Sequence, residues 1–324
     1  MKLISIVIPV YYNEDSLPIL YERLNKVSGD IKDASLEFIF VDDGSGDNSF
    51  SVMEGLSKSD SRVRIVKLSR NFGAFVACLA GLNYARGDCA VIMAADLQDP
   101  PELIGQLYEK WEKGSKVVCA VRESREDGRI KIFFANIYYH LLRSIALKDM
   151  PKGGFDYALI DRKVIDVLVH MKEKNTTLMG QILWMGFNRD TVYYCKEERK
   201  HGKSRWSLSK KIKYFIDSFL AFSYFPIRAI SLSGILIACL AFLFGIYAIL
   251  QKIFFAVNVP GFTTLIVLIL FTSGVQMIML GLVGEYLWRN LEETRKRPIF
   301  IVDRLIGIDN GDKQGGSTYD IDKP

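Results

Sequence analysis

The chain has 324 residues, 49% of them hydrophobic and 24% charged, with a formal net charge of +5. That length suits one large domain plus something smaller, and so small a charge excludes an argument for nucleic acid as a partner. The hydrophobic residues concentrate after residue 228, and basic residues cluster beside those apolar segments, a pattern that suits an anionic membrane surface.

Met1-Lys2 leads into an apolar run that ends at Pro9. It is too short for the apolar region of a signal peptide, so the N-terminal domain is expected to stay inside the cell. Cysteines at 78, 89, 119, 195 and 239 form no Cys-x-x-Cys pair and are expected as buried, reduced thiols.

Residues 3–10 read as a buried strand. Ser16 then caps a helix with Leu17, Leu20, Leu24 and Val27 on one face. Leu36–Val41 is a second strand and stops at the turn cluster Asp42-Asp43-Gly44-Ser45. Val63–Leu68 is a third strand, Phe72–Ala85 a helix of small residues, and Cys89–Met93 a fourth strand. Pro100-Pro101 opens the next helix, where proline is tolerated. Lys116–Val121 is a fifth strand. Alternating strands and helices give an α/β fold with a doubly wound, mostly parallel sheet, whose ligands bind beyond the carboxyl ends of the strands. Tyr11–Glu14, Asp42–Ser45, Ser69–Asn71 and Asp96–Asp99 all follow strands, so four polar clusters fall on one edge.

Residues 129–149 make an amphipathic helix with Phe133, Phe134, Ile137, Tyr138, Leu141 and Ile145 on its apolar stripe. It lies either in a membrane interface or on the sheet. Lys210–Ala221 repeats the pattern beside the apolar segments, which favours the interface. No charged residue occurs from Ala229 to Gln251 or from Ile253 to Gly284, each run long enough to cross a bilayer. Asn258, Pro260 and Gly261 turn between them. Arg228, Arg289, Arg295, Lys296 and Arg297 flank the pair, against Lys252 in the connection, so the positive-inside rule puts both ends in the cytoplasm. The expected organisation is a catalytic domain over 1–206, a juxtamembrane segment over 207–225, a hairpin over 226–289 with spans near 229–251 and 263–285, and a cytoplasmic tail over 290–324. Beyond about 308 the tail is polar and expected to lack fixed structure.

A nucleotide sugar carries an anionic diphosphate that leaves during reaction, and oxygen ligands that hold a hard divalent cation can neutralise it. Asp42-Asp43 and Asp96-Leu97-Gln98-Asp99 supply such oxygens at two strand ends. Each acidic turn alone is weak evidence, because Asp is common in turns.

Pro9-Val10-Tyr11-Tyr12-Asn13-Glu14, Val41-Asp42-Asp43-Gly44-Ser45, Ser69-Arg70-Asn71-Phe72-Gly73 and Ala95-Asp96-Leu97-Gln98-Asp99-Pro100-Pro101 resemble the successive motifs of family 2 glycosyltransferases. The resemblance is nearest to the polyprenyl-phosphate branch, which includes dolichol-phosphate mannose synthase and the bactoprenol glucosyltransferases. Gly284-Glu285-Tyr286-Leu287, Arg297-Pro298 and Ile301-Val302 extend it to about residue 305. It implies a GT-A fold, a nucleoside-diphosphate sugar donor and Mg²⁺ or Mn²⁺. Pro9, Tyr11, Glu14, Asp42 and Asp43 would bind the nucleotide, with Asp43 at the base. Arg70 and Asn71 would lie near ribose and diphosphate, and Asp96 with Gln98 would hold the metal. Where the family often has Asp-x-Asp, this chain has Ala94-Ala95-Asp96. Asp96 and Gln98 are expected to suffice, because Mg²⁺ commonly takes one or two protein carboxylates plus phosphates.

The implied acceptor is a lipid monophosphate. Arg122, Arg125 and Lys131, and Arg199, Lys203 and Arg205, are candidate ligands for its phosphate, the alternative being a solvated basic face. Asp156 stands where such enzymes place a catalytic aspartate, and Ala158 stands where they have Arg. Asp156 is a general base or, because a phosphate monoester is already largely dianionic at neutral pH, a group that orients the sugar. Trp184 and Trp206 are either stacking groups or packing anchors.

The expected activity is inverting transfer of one hexose from UDP-glucose or another UDP-hexose, with a GDP-sugar as alternative, to undecaprenyl phosphate. It would serve cell-surface glycan modification at the cytoplasmic face of a bacterial inner membrane. Expected partners are a downstream flippase and acceptor glycosyltransferase, and a second copy of the chain through Gly274, Gly281 and Gly284. One rival is a processive polysaccharide synthase, although Arg205-Trp206 lacks the Gln of that group's Gln-x-x-Arg-Trp motif. The other is a non-catalytic nucleotide-sugar-binding scaffold, which Ala94 alone supports.

Overall fold

The computed structural model describes residues 1–123, 129–197, 208–255, 261–309 and 318–320. The chain divides into two compact units, Met1–Ser218 with Pro298–Pro324, and Phe219–Arg297.

In the first unit, the apolar runs become β1 (Lys2–Val10), β2 (Ala34–Asp42), β3 (Val63–Leu68), β4 (Cys89–Ile92) and β5 (Val117–Arg122). Between them lie α1 (Leu17–Asp30), α2 (Ser49–Ser59), α3 (Ala74–Asn83) and α4 (Ile104–Glu112), the last entered through a 3-10 turn at Pro101–Leu103. Strands β1 and β2 are almost wholly buried, as parallel strands covered on both faces must be. The apolar face of α1 (Leu17, Leu20, Leu24, Val27) enters the same core. Ser16 does stand at the N-cap of α1 but makes no capping bond. Its hydroxyl instead donates to the Ala95 carbonyl (2.8 Å) and ties the loop after β1 to the loop after β4.

Helix α5 (Arg129–Ile145) leads to β6 (Tyr157–Asp161), α6 (Arg162–His170), α7 (Leu178–Trp184), β7 (Arg189–Tyr194) and α8 (Leu208–Phe222). β8 (Phe300–Ile306) and β9 (Thr318–Asp320) complete a nine-stranded sheet ordered β7-β5-β6-β4-β1-β2-β3-β8-β9. The β1–β2, β2–β3, β1–β4 and β5–β7 pairs are parallel, so the mostly parallel, doubly wound expectation holds. The neighbour of β4 differs from a simple alternation. β6 lies between β4 and β5 and runs antiparallel to both. Its first residues therefore fall on the edge where β4 and β5 end.

The polypeptide returns to this sheet after the apolar helices. β8 pairs antiparallel with β3, and Ile299, Phe300 and Val302 are buried. These residues thus belong to the same compact unit as the sheet they join. Three cysteines, 78, 89 and 119, are buried and free as expected, whereas Cys195 and Cys239 are exposed.

In α5, Leu142 is buried while Ile137 is 41% exposed, and Tyr138 donates to Ser218 of α8 (3.0 Å). The two amphipathic helices meet, and Ile137, Phe215 and Ile216 stay exposed, which suits an interfacial face. The second unit contains α9 (Phe225–Phe255) and α10 (Phe262–Thr294). Phe225–Tyr247 and Val267–Thr294 are long and apolar enough to cross a membrane, and neither span is buried by protein. Leu236, Phe242, Met277 and Ile278 are each more than 60% exposed, a surface that water would not tolerate over such a length.

Candidate active site

Because β1 to β4 run in one direction, the four polar clusters after them meet at one edge, and hydrogen bonds join them into a rim. The Asp43 amide donates to the Val10 carbonyl (2.9 Å). The Tyr12 amide donates to Ser45 Oγ (3.1 Å), and Tyr12 adopts a left-handed φ of 59°. Glu14 Oε2 accepts from the Asn48 amide (2.8 Å), at the start of α2. Pro9 and Tyr11 are half-buried beside these turns, and the Tyr11 ring stands edge-on to Tyr12 at 4.7 Å.

Asp43 organises the loop after β3. Its carboxylate accepts from the amides of Phe72 (2.7 Å) and Gly73 (2.9 Å) and from Asn71 Nδ2 (3.0 Å), and it is 2% exposed. Such a set of donors favours an ionised carboxylate. Gly44, at φ 71°, is required beside it, because a Cβ there would lie 2.7 Å from the Arg70 carbonyl carbon. Arg70 is exposed on this loop with its guanidinium over the Phe72 ring (4.4 Å). Asp42 is fully buried: Oδ1 accepts from the Ser45 amide (3.0 Å), and Oδ2 has no hydrogen-bond partner among the described residues.

Asp96 and Gln98 flank Leu97, whose φ of 61° makes a tight turn. Asp96 Oδ1 accepts from the Gln98 amide (3.2 Å), and Gln98 Nε2 donates to the Glu197 carbonyl (3.3 Å). Among the described residues no three His, Cys, Asp or Glu side chains gather as a metal group. The donor set that remains, one carboxylate and one amide oxygen, is all oxygen. That fits Mg²⁺ or Mn²⁺ with phosphate oxygens completing the shell.

Asp156 immediately precedes β6 and so reaches this edge through the antiparallel insertion. Gly154, at φ 69°, makes its approach possible: a Cβ there would stand 2.5 Å from the Tyr139 ring. Arg122, the last residue of β5, donates to Asp156 Oδ2 (3.0 Å), and the Asp156 side chain is 64% exposed. Burial opposes the charge of Arg122, yet Asp156, Tyr194 and Asp99 together hold its pKa above the ordinary arginine value. Burial also pushes the Cys78 thiol up to about 12, with the carboxylates of Asp43 and Asp156 adding to the shift.

The model of the family described as Glycosyl transferase family 2 matches residues 5–169. The chain is 39% identical to "Uncharacterized glycosyltransferase YkcC" of Bacillus subtilis (strain 168), over 94% of this chain and 95% of that protein. It is 36% identical to "Prophage bactoprenol glucosyl transferase homolog" of Escherichia coli (strain K12), over 93% and 99%. Among solved structures, a mannosyltransferase from Pyrobaculum calidifontis in complex with GDP-Man and Mn²⁺ is similar at 18% identity and a TM-score of 0.49, covering 68% of this chain and 63% of that one. The chain belongs to glycosyl transferase family 2.

This glycosyltransferase therefore carries its four strand-end clusters on one hydrogen-bonded rim, with Asp156 and Arg122 at the same sheet edge. Of the other basic candidates, Arg125, Arg199, Lys203 and Arg205 lie outside the described residues, as do the Lys131 side chain and Trp206. Trp184 ends α7 and is 67% exposed, so it is not a core anchor. Ala158, where an arginine was the family expectation, is buried in β6 opposite Ile92 and Cys119. Sequence reasoning missed Tyr194 and gave Asp99 only as one of the oxygen-bearing residues of its turn. The Tyr194 hydroxyl donates to Asp99 Oδ1 (2.6 Å), and both residues are buried. The available signal was the position of Asp99 directly after the Asp96–Gln98 pair.

Proposed function

We propose that this glycosyltransferase moves a single hexose from a UDP-hexose, UDP-glucose first, to a polyprenyl phosphate at the cytoplasmic face of a bacterial inner membrane. The observation that carries the reading is the convergence, on one sheet edge, of the four-loop rim and the Arg122–Asp156 pair. Relatives named bactoprenol glucosyl transferases and two helices of membrane-crossing length support it.

In this reading Pro9, Tyr11, Glu14, Asp42 and Asp43 form the nucleoside side, and Arg70 and Asn71 border the diphosphate. Asp96 and Gln98 hold the divalent cation, which when bound neutralises the departing diphosphate. Arg122 grips the acceptor phosphate, assisted by Arg125, Lys131, Arg199, Lys203 and Arg205. Asp156 orients the nucleophile and steadies positive charge developing on the sugar. The phosphate oxygen attacks the anomeric carbon opposite the leaving group, so one displacement inverts an α-linked donor to a β-linked lipid phosphate. Such a product forms inside and is used outside, which calls for a flippase and a second transferase. The small residues Gly274, Gly281 and Gly284 offer a face for self-association.

The test uses membranes holding the full chain, labelled UDP-hexoses and undecaprenyl phosphate. One sugar per lipid is expected, lost on chelation and restored by Mg²⁺ or Mn²⁺. Asp96→Ala is expected to lower turnover by at least about 100-fold, in the range for removing a group that stabilises a transition state. No lipid-linked product with any donor would overturn the reading, and a product of many sugars would replace it with a processive synthase.

A further inference from the structure

The loop after β4 and the end of β5 are tied together by the end of β7. Tyr194 is paired in register with Arg122 across the parallel β5–β7 ladder. The Glu123 amide donates to the Tyr194 carbonyl (2.9 Å), and the Glu197 amide to the Gln98 carbonyl (2.9 Å). The Tyr194 hydroxyl donates to Asp99 Oδ1 at 2.6 Å, and its in-register pairing puts its side chain beside that of Arg122 on one face of the sheet. Asp99 is 1% exposed, and Lys196 Nζ stands 3.7 Å from its carboxylate.

The two ends of Arg122 are held differently. Its outer partner, Asp156, is 64% exposed, and an ion pair so open to water holds a side chain weakly. On its inner side its register neighbour is a buried phenol bonded to a buried carboxylate, where a low local dielectric strengthens the electrostatic interaction. Fixing an arginine costs it rotamer freedom, so a phosphate ligand gains from being fixed beforehand. The outer end remains free to exchange Asp156 for an incoming phosphate.

We propose that Tyr194, backed by Asp99, is a positioning residue that sets Arg122 for the acceptor phosphate. This rests on reading Arg122 as the phosphate ligand. Because Asp99 directly follows the candidate metal ligands, the same contact joins the donor loop to the acceptor arginine.

Tyr194→Phe removes the hydroxyl and keeps the ring, which packs edge-on to Tyr157 at 6.2 Å. Steady-state kinetics of the full-length enzyme in nanodiscs would use undecaprenyl phosphate and the donor that the wild type turns over. The expected result is a KM for undecaprenyl phosphate raised about tenfold, the scale of one hydrogen bond to a charged group, with the donor KM within about twofold. Asp99→Asn keeps an acceptor atom and removes the charge, and it is expected to move the acceptor KM in the same direction. The double variant should be no worse than the stronger single one, as for two residues acting through one contact. Thermal melts of all three confirm folding. Equal shifts in both KM values, an unchanged acceptor KM, or independent additive effects would each overturn the proposal. A wild-type enzyme with no lipid-linked product would overturn the polyprenyl-phosphate reading itself, a different outcome from a Tyr194→Phe enzyme with the wild-type acceptor KM.

Discussion

Arg64 is fully buried, and the sequence around it gives no hint of that. Its Nη1 donates to Glu37 Oε2 (2.8 Å) and to the Tyr84 carbonyl (2.8 Å), and its Nε to the Gly307 carbonyl (3.1 Å). Glu37, 3% exposed, also accepts from Ser5 Oγ (2.6 Å) and from the Arg86 amide (2.7 Å). A buried pair so completely bonded is weak evidence of net stability, but breaking it strands a charge. Arg64→Ala is expected to destabilise the catalytic unit by about 3–5 kcal/mol, and replacing Arg64 and Glu37 together by Met should cost less than either single change. Urea unfolding followed by tryptophan fluorescence checks both, and a harmless Arg64→Ala would contradict the account. Gly154→Ala tests a second residue. With a left-handed φ and the Tyr139 ring in the way, it is expected to cost about 1–3 kcal/mol. Because the substitution moves the backbone before Asp156, turnover should fall more than donor affinity does.

At the scale of elements, β1 to β5 were legible because each is an apolar run stopped by turn residues. The rim followed, because parallel strands put their carboxyl ends together. β6 escaped because Tyr-Ala-Leu-Ile-Asp is short and its place between β4 and β5 depends on pairing that no local pattern encodes. Asp156 could be named by resemblance, but its arrival at the rim needed that antiparallel insertion. β8 escaped for a related reason: it follows the apolar helices, while the residues that Arg64 and Gly307 contribute to its docking are 243 positions apart. Ser16 looked like a cap, but its hydroxyl went to a neighbouring loop. β8 leads to a prediction of its own. The Ser69 amide donates to the Ile301 carbonyl (3.0 Å), so this strand flanks the loop that carries Arg70 and Asn71. A chain ended at Arg297 would bare the edge of β3, a template for aggregation, and take Gly307 from Arg64. Such an enzyme is expected to aggregate on size exclusion and to lose donor turnover. A monodisperse, active truncation would show that β8 is dispensable.

For the whole molecule, orientation decides whether the enzyme meets its donor, because nucleotide sugars are made in the cytoplasm while the acceptor chain stays in the bilayer. Arg228, Arg289, Arg295, Lys296 and Arg297 lie outside the two apolar runs, against Lys252 between them, and such a bias sets the orientation of hairpins. The native cysteines can read it. Cys78, Cys89 and Cys119 are buried, and burial raises all three thiol pKa values, which keeps them unreactive. Cys239 sits within α9, inside the candidate span. That leaves Cys195, exposed in the catalytic unit. A membrane-impermeant maleimide is expected to spare Cys195 in intact spheroplasts and to label it in inside-out vesicles. With Cys195→Ser and Asn258→Cys in one chain, the accessible side should reverse, since residue 258 lies between the two spans. Labelling of Cys195 from outside would put the rim on the face without donor, and the basic flanks would then need a reason other than topology.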